Sequence, residues 1–467
     1  MQTLRDVKPT PEQLTIVSRN KPGIEVIRGA AGSGKTTTAL LRLRSLIGMF
    51  TSQRKRQQSG EPVKILVLTY NRTLRGYIEV LARQQVAETA GIDLKILTFA
   101  KWAMSALRNP TMIESHTQRQ KILELGVGVK LENDFLLSEI EYVMGRFLPE
   151  NIDDYISARR DGRGATPRIG KSMREAILND VIKPYQEWID LEKIWDWNDL
   201  AVKLANEKLE ISYDIIIADE AQDFSANQIR AIHNQMAKVS SLTFVLDSAQ
   251  RIYARGYTWS EAGVTIRPEN SKRLKKNYRN TVEIAKFAAS LIDGVPIDDD
   301  ATMPDFESCD RHGPKPLALK GRFSNQMKYI VQYINNNVDL SSQSVAILHP
   351  LGGGWFSYVK QTLNDENLQY IEISRQSDWP VGSENIALST LHSAKGLEFD
   401  HVIIISLDTE TLPHGEDADD DRLLMLRRLV AMGAGRARES LLIGYKSEGA
   451  SNLLNLIDTS TYDEVAV

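Results

Sequence analysis

The sequence predicts an α/β protein made of two doubly wound parallel-sheet domains, with a helical insertion in the first. Three observations predict it. Short β-branched and leucine-rich runs recur without two-residue alternation, the pattern of strands covered on both faces. Helix-like stretches between the runs supply the crossovers that a parallel sheet requires. The runs form two groups, and 467 residues leave room for about three domains of roughly 150 residues each.

Taken in order, Ile24–Arg28, Val63–Thr69 and Leu94–Thr98 open the first sheet. From Phe99 to Asp214 no clear strand occurs. The stretches Gln118–Leu125, Phe135–Phe147 and Lys171–Leu191 instead carry helical apolar spacing, so 106–205 reads as the insertion. Asp214–Ala218 and Leu242–Leu246 return to the first sheet. Ser344–Leu348, Ile386–Thr390, His401–Leu407 and Ser440–Tyr445 make the second. The expected division is 1–105 and 206–285 for the first core domain, 286–455 for the second, and 456–467 for a C-terminal tail.

Composition narrows the function classes. A net charge of −4 excludes a nucleic-acid binder that works by bulk charge, so any such footprint must be local. The single Cys309 excludes an intramolecular disulfide framework and a multi-cysteine metal site, and the seven histidines form no ligand-spaced pair. With no apolar stretch long enough for a bilayer, the expectation is a cytoplasmic protein.

Two motifs carry chemistry. Gly29-Ala30-Ala31-Gly32-Ser33-Gly34-Lys35-Thr36 fits the phosphate-binding loop G-x-x-x-x-G-K-[ST], between a predicted strand and an apolar helix beginning at Thr37. Its glycines let backbone N–H groups converge on phosphate oxygens. Lys35 reaches the β and γ phosphates of ATP, and the Thr36 hydroxyl reaches Mg²⁺. Farther along, the apolar run to Ala218 leads into Asp219-Glu220-Ala221-Gln222-Asp223. Carboxylates at the carboxyl end of a buried strand lie beside the phosphate loop, where Asp219 holds the metal and Glu220 polarises water. Asp223 is a candidate helix N-cap.

Those two motifs, in that order, resemble the superfamily 1 helicases of the UvrD, Rep and PcrA type, whose core is a pair of RecA-like domains. Further matches follow the family's order. Gln13 stands where the family reads adenine, and Leu68–Arg72 and Thr98-Phe99 look like segments that track single-stranded DNA. Leu246–Tyr253 is similar to the motif whose glutamine, here Gln250, senses the γ-phosphate. Asn277-Tyr278-Arg279 resembles the segment whose tyrosine stacks on adenine and whose arginine contacts the γ-phosphate. Thr390–Phe399 matches the DNA-contacting motif of the second core domain, with Gly396 and Glu398 on its nucleotide side. Gly435-Arg436-Ala437-Arg438 looks like the closing motif with a second arginine.

The resemblance implies that Lys35, Glu220, Gln250, Arg279 and Arg436 carry catalysis. Gln13, Gly29, Ala30, Ala31, Gly32, Ser33, Gly34, Thr36, Thr37, Tyr278, Gly396 and Glu398 surround ATP, with Thr36 and Asp219 on Mg²⁺. Tyr70, Asn71, Thr98, Phe99, Tyr257, Trp259 and His392 are the candidates for nucleic-acid contact, aromatic faces serving base stacking. The basic runs Lys272–Lys276 and Arg159–Arg174 are candidates for phosphate contact. The expected activity is ATP-driven movement on single-stranded DNA, 3′ to 5′ as the resemblance implies. The alternative is an ATP-gated sensor or regulatory subunit of a nuclease or anti-phage complex. A phosphate-loop kinase would have no use for Arg436 or the His392 motif.

The chain departs from its family in places. Residues 280–390 leave no room for the further domain that larger relatives insert there, which touches strand separation more than ATP-driven movement. Gly435, Ala431 and Thr37 stand where relatives carry threonine, an aromatic residue and arginine.

Overall fold

Strands buried on both faces demand helices above and below, and the arrangement follows from that demand. In the computed structural model the residues described are 9–29, 32–69, 75, 76, 78–80, 82, 83, 91–160, 167–246, 257–274, 276–295, 309–374, 380, 382–415, 417 and 420–467. The first sheet contains β1 (Gly23–Gly29), β2 (Val63–Thr69), β3 (Ile92–Thr98), β4 (Tyr213–Ala218), β5 (Met236–Leu246) and β6 (Ser271–Leu274). Their order is β3-β2-β4-β5-β1-β6, with every pairing parallel. The central strand β4 is buried along its whole length, as its run of isoleucines requires.

The second sheet contains β7 (Leu317–Lys320), β8 (Val345–His349), β9 (Tyr370–Glu372), β10 (Ile386–Thr390), β11 (Phe399–Ile404), β12 (Ala437–Tyr445) and β13 (Asp463–Ala466). Their order is β13-β7-β12-β11-β8-β10-β9, again parallel. The chain therefore folds into two parallel-sheet α/β domains of the RecA-like kind. Stretch 456–467 is not a tail: β13 pairs with β7 from Asp463 to Ala466. The helix Val282–Ile292 also departs from the expected division. Its Ile284, Phe287 and Leu291 share a core with Leu423, Leu426 and Leu429 of the helix Asp421–Ala434, and Arg427 Nε donates to the Leu291 carbonyl at 2.7 Å.

The helical segment leaves the first domain at Thr111–Ile113 and returns at Trp195. There, Ile113 N–H and Trp195 N–H donate across the two crossings at 2.9 Å each. It has its own apolar core, including Ile140, Val143, Leu178, Val181 and Tyr185. The run Lys171–Glu192 is one helix interrupted by a π-helical stretch at Ile177–Ile182. The helix Trp197–Asn206 belongs with the first-domain core through Leu200, Ala201 and Leu204.

Candidate active site

β1 delivers the chain to a turn built for close approach. A Cβ at Gly29 would lie 2.3 Å from Ser33 Oγ, and one at Gly32 would lie 2.1 Å from Asn277 Oδ1. Gly32 and Gly34 also take φ of 80° and 76°, where side chains are strained. Gly34 then starts the helix Lys35–Arg56, and Thr38 Oγ1 donates to its carbonyl at 2.8 Å. Gln13 closes the loop from the other side. Its Oε1 accepts from Thr10 N–H at 3.0 Å, and its Nε2 donates to the Gly34 carbonyl at 3.5 Å. Lys35, Thr36 and Thr37 are half-buried in the first turn of that helix, where free N–H groups favour an anion. Ala30 and Ala31 lie outside the described residues.

Asp219 follows β4 directly, and its N–H donates to the Leu68 carbonyl of β2 at 2.9 Å. That fixes its carboxylate opposite the phosphate loop, where Thr36 Oγ1 donates to Oδ2 at 3.0 Å. Burial, and next the charge of Glu220, push Asp219 up to about 7. Glu220 sits at φ 54°, a left-handed conformation that costs a non-glycine residue about 1 to 2 kcal/mol. Burial alone would raise its carboxyl. Lys395, Arg436 and Lys35, with the Gln222 amide, more than offset this and hold it below the ordinary carboxylate range. The two adjacent buried carboxylates are thus pushed in opposite directions by their surroundings. The donor set fits a hydrated divalent cation held by Thr36 and Asp219 beside phosphate oxygens. Among the described residues no cluster of three or more His, Cys, Asp or Glu could hold a metal without such help.

The second domain finishes the cleft. Lys395, 2% exposed, pairs with Asp223 at 2.5 Å and stands 3.7 Å from Glu220. Asp223 is therefore not the helix N-cap; Ser225 caps the helix Ala226–Asn234 instead. Arg436 is 3% exposed, with Nε donating to the Met432 carbonyl at 3.2 Å and one terminal nitrogen reaching the Leu397 carbonyl at 3.4 Å.

The connecting segment 277–280 straps the two lobes together. Tyr278 N–H donates to the Gly32 carbonyl at 3.0 Å, and Asn277 Oδ1 accepts from Arg279 N–H at 3.0 Å. Arg279 pairs with Glu398 and donates to the Gly435 carbonyl at 3.3 Å. Asn280 Nδ2 reaches the Gly435 and Ala437 carbonyls at 3.1 and 2.5 Å. Arg279, Glu398 and Arg436 thus stand at the same cleft as Lys35, Asp219 and Glu220. Gly396, at φ 82°, makes the turn between Lys395 and Glu398. Gln250 lies outside the described residues.

Sequence reasoning missed Lys395, Asp223, Asn277 and Asn280 as parts of this cleft. Lys395, Asp223 and Asn277 lie inside quoted motifs and Asn280 directly follows one, but nothing in the sequence says which partner a buried lysine or asparagine meets.

On the nucleic-acid side the expectations divide. Phe99 is core rather than a base-stacking face: it is 4% exposed, between Trp102 and Phe224 at ring distances of 5.4 and 6.1 Å. Thr98 caps the helix Phe99–Ala106 by accepting from Lys101 N–H. Tyr257 is half-buried and donates to the Phe224 carbonyl at 3.0 Å; Trp259 is half-buried against Phe244, 4.8 Å between rings. His392 is half-buried, and burial with the charge of Lys395 pushes it down to about 4, so it is neutral. Tyr70 and Asn71 lie outside the described residues.

In the basic run Arg159–Arg174, Arg160 and Arg174 turn inward, while Arg159, Arg168 and Lys171 are exposed. Arg160 pairs with the fully buried Glu139 at 2.8 Å, and Arg174 donates to the Tyr155 and Ala158 carbonyls at 3.0 and 2.6 Å. Of the run Lys272–Lys276, Lys272 to Leu274 form part of β6.

Comparison with known proteins shows the family. Residues 10–272 match the UvrD/REP helicase N-terminal domain, and 356–448 the UvrD-like helicase C-terminal domain. The chain is 22% identical over 458 residues to the "Probable DNA helicase" of Mycoplasma pneumoniae, an alignment covering 90% of this chain and 80% of that one. It is 36% identical over 86 residues to the ATP-dependent DNA helicase Rep of Buchnera aphidicola, covering 18% of this chain and 12% of that one. Against Rep of Escherichia coli it is 38% identical over 58 residues, covering 12% and 9%. No helix among the described residues is long and apolar enough to cross a membrane. The two halves of one cleft, each matching its own family domain, place the chain in the UvrD/REP helicases of superfamily 1, a family of ATP-dependent DNA helicases.

Proposed function

We propose that the chain is an ATP-driven motor that moves 3′ to 5′ on single-stranded DNA. One observation carries the reading: Glu220 of the first domain faces Lys395 and Arg436 of the second, so hydrolysis is assembled only when the lobes meet. Gly29, Gly32, Ser33 and Gly34, with Lys35, Thr36 and Thr37, form the phosphate cradle, Gln13 flanks it, and Tyr278 stacks on the adenine. Thr36 and Asp219 are the residues that would hold Mg²⁺, which when bound neutralises phosphate charge. Glu220, kept ionised, accepts the proton of the attacking water. Gln250 senses the γ-phosphate. Arg279 and Arg436 neutralise the charge that develops there; such arginines are worth about 10³ to 10⁵ in rate in other NTPases.

Two links, one along the chain and one through a hydrogen bond, convert cleft closure into strand movement. Lys395 and His392 lie in one turn that begins at β10, where Ala394 N–H donates to the Thr390 carbonyl at 3.0 Å. Any shift of Lys395 against Glu220 therefore moves His392. On the first domain, the Tyr257 hydroxyl holds the carbonyl of Phe224, next to Asp223, and Trp259 follows two residues later. Opening and closing with unequal grip on the two domains gives net steps.

The test is ATPase rate against single-stranded, duplex and tailed DNA and RNA, with streptavidin displacement from biotinylated 3′ and 5′ ends. Steep stimulation by single-stranded DNA and displacement from the 5′ end are expected. A flat ATPase response refutes the motor. Stimulation without displacement transfers the chain to the switch class, an ATP-gated sensor or regulatory subunit of a nuclease or defence complex.

A further inference from the structure

β8 ends at His349 and runs into Pro350-Leu351-Gly352-Gly353-Gly354-Trp355-Phe356-Ser357-Tyr358, a segment the cleft does not use. Phe356 is fully buried with Val359 and Leu363, which anchors the start of the helix Ser357–Asp365. Its neighbours turn outward. Leu351, Trp355 and Tyr358 are 55, 45 and 41% exposed, three large apolar side chains at the surface of one short segment.

The tryptophan is held flat. Its ring stacks on His349 with centroids 5.2 Å apart and 22° between planes. His349 is fully buried, and its Nδ1 accepts N–H groups from Leu351 at 3.0 Å and Gly352 at 2.9 Å. That pair of donors fixes an uncharged ring with its proton on Nε2. Gly352 is needed here, since a Cβ would come within 2.5 Å of Thr390 Cγ2. Tyr358 lies one turn on and is braced by Phe323, 5.7 Å between rings.

The position of this surface names its occupant. β8 and β10 pair so that His349 is opposite Thr390, and Leu391 N–H donates to the His349 carbonyl at 3.2 Å. The stack is thus continuous with Thr390–His392, the edge assigned above to the single strand. An uncharged, rigid aromatic face suits a nucleobase, whose π-face stacks irrespective of sequence. We propose that Trp355, laid on His349 and flanked by Tyr358, is a base-stacking platform of the second core domain that holds one base of single-stranded nucleic acid beside Thr390–His392. This rests on the single-strand reading of the preceding section.

The experiment is fluorescence anisotropy of the full chain with labelled oligo-dT and with an abasic oligonucleotide of equal length, for wild type, Trp355→Ala and Trp355→Tyr. Trp355→Ala is expected to weaken oligo-dT binding about 5- to 150-fold, the range of one lost stack, and to leave abasic binding unchanged. Trp355→Tyr is expected to stay within a few fold of wild type. Wild-type oligo-dT affinity in Trp355→Ala, or an equal loss on both oligonucleotides, overturns the platform while leaving the single-strand reading standing. Early melting of both variants assigns Trp355 to the fold and overturns it as well. Failure of the wild type to bind oligo-dT refutes the earlier reading, and the platform with it.

Discussion

Lys395→Met is the most searching perturbation of the cleft, because methionine keeps the unbranched stem and removes only the charge. In the native protein that ammonium is 2% exposed and lies 2.5 Å from Asp223, which is itself fully buried, and 3.7 Å from Glu220. Removing it leaves two buried carboxylates facing an apolar side chain. Breaking a buried pair in this way costs about 3 to 5 kcal/mol, most of it the penalty of the orphaned charge. In domains of about 150 to 250 residues that corresponds to roughly 6 to 20 °C in the transition that parts the lobes. The assay is thermal melting alongside DNA-stimulated ATP turnover, with Asp223→Asn as the second corner of a double-mutant cycle. The double variant should recover part of the stability, since its neutral amide no longer needs a cation. Melting of Lys395→Met within about 1 °C of wild type, with unchanged turnover, would mean the pair does not join the lobes and would refute the reasoning.

Three further outcomes follow from particular contacts. Arg279→Ala and Arg436→Ala should each lower kcat by about 10³ or more while moving ATP affinity much less; saturating steady-state ATPase decides it, and a kcat within about tenfold of wild type in both removes their transition-state role. Phe99→Ala should cost about 3 to 5 kcal/mol in denaturant unfolding and leave oligo-dT affinity of the folded protein unchanged. Lost affinity at unchanged stability would restore Phe99 to the strand. Burial holds His349 at about 4 in the fold against about 6.5 unfolded, so the unfolded chain binds the extra proton between those values. Its contribution is intact above about pH 6.5 and falls away toward pH 4, by about 2 to 3 kcal/mol. His349→Asn, which keeps an acceptor for Leu351 and Gly352 but does not titrate, should flatten the unfolding midpoint between pH 7.5 and 5. Equal slopes in the two proteins count against this account.

The long central strands were legible because a strand covered on both faces can use almost only apolar residues. Val63–Thr69 and Ile386–Thr390 appear in the fold with the bounds their sequence suggests. The short strands β6, β7, β9 and β13 were not, since three or four residues carry too little pattern to separate a strand from a loop. One basic run was only partly legible for a related reason. Composition counts charges, and Arg160 spends its charge on Glu139 inside the helical segment.

By itself the sequence determined the chemistry of each half-site: a glycine loop ahead of Lys35 and Thr36, two carboxylates after a buried strand, arginines far downstream. Those are local requirements, and local requirements leave motifs. Only the tertiary structure decided which halves meet: Lys395 against Asp223 and Glu220, Tyr278 on Gly32, Arg279 beside Glu398, Trp355 on His349. Pairings between residues hundreds of positions apart, or between a strand end and the next loop, are set by how parallel strands stack in order and register, and no short segment encodes that order.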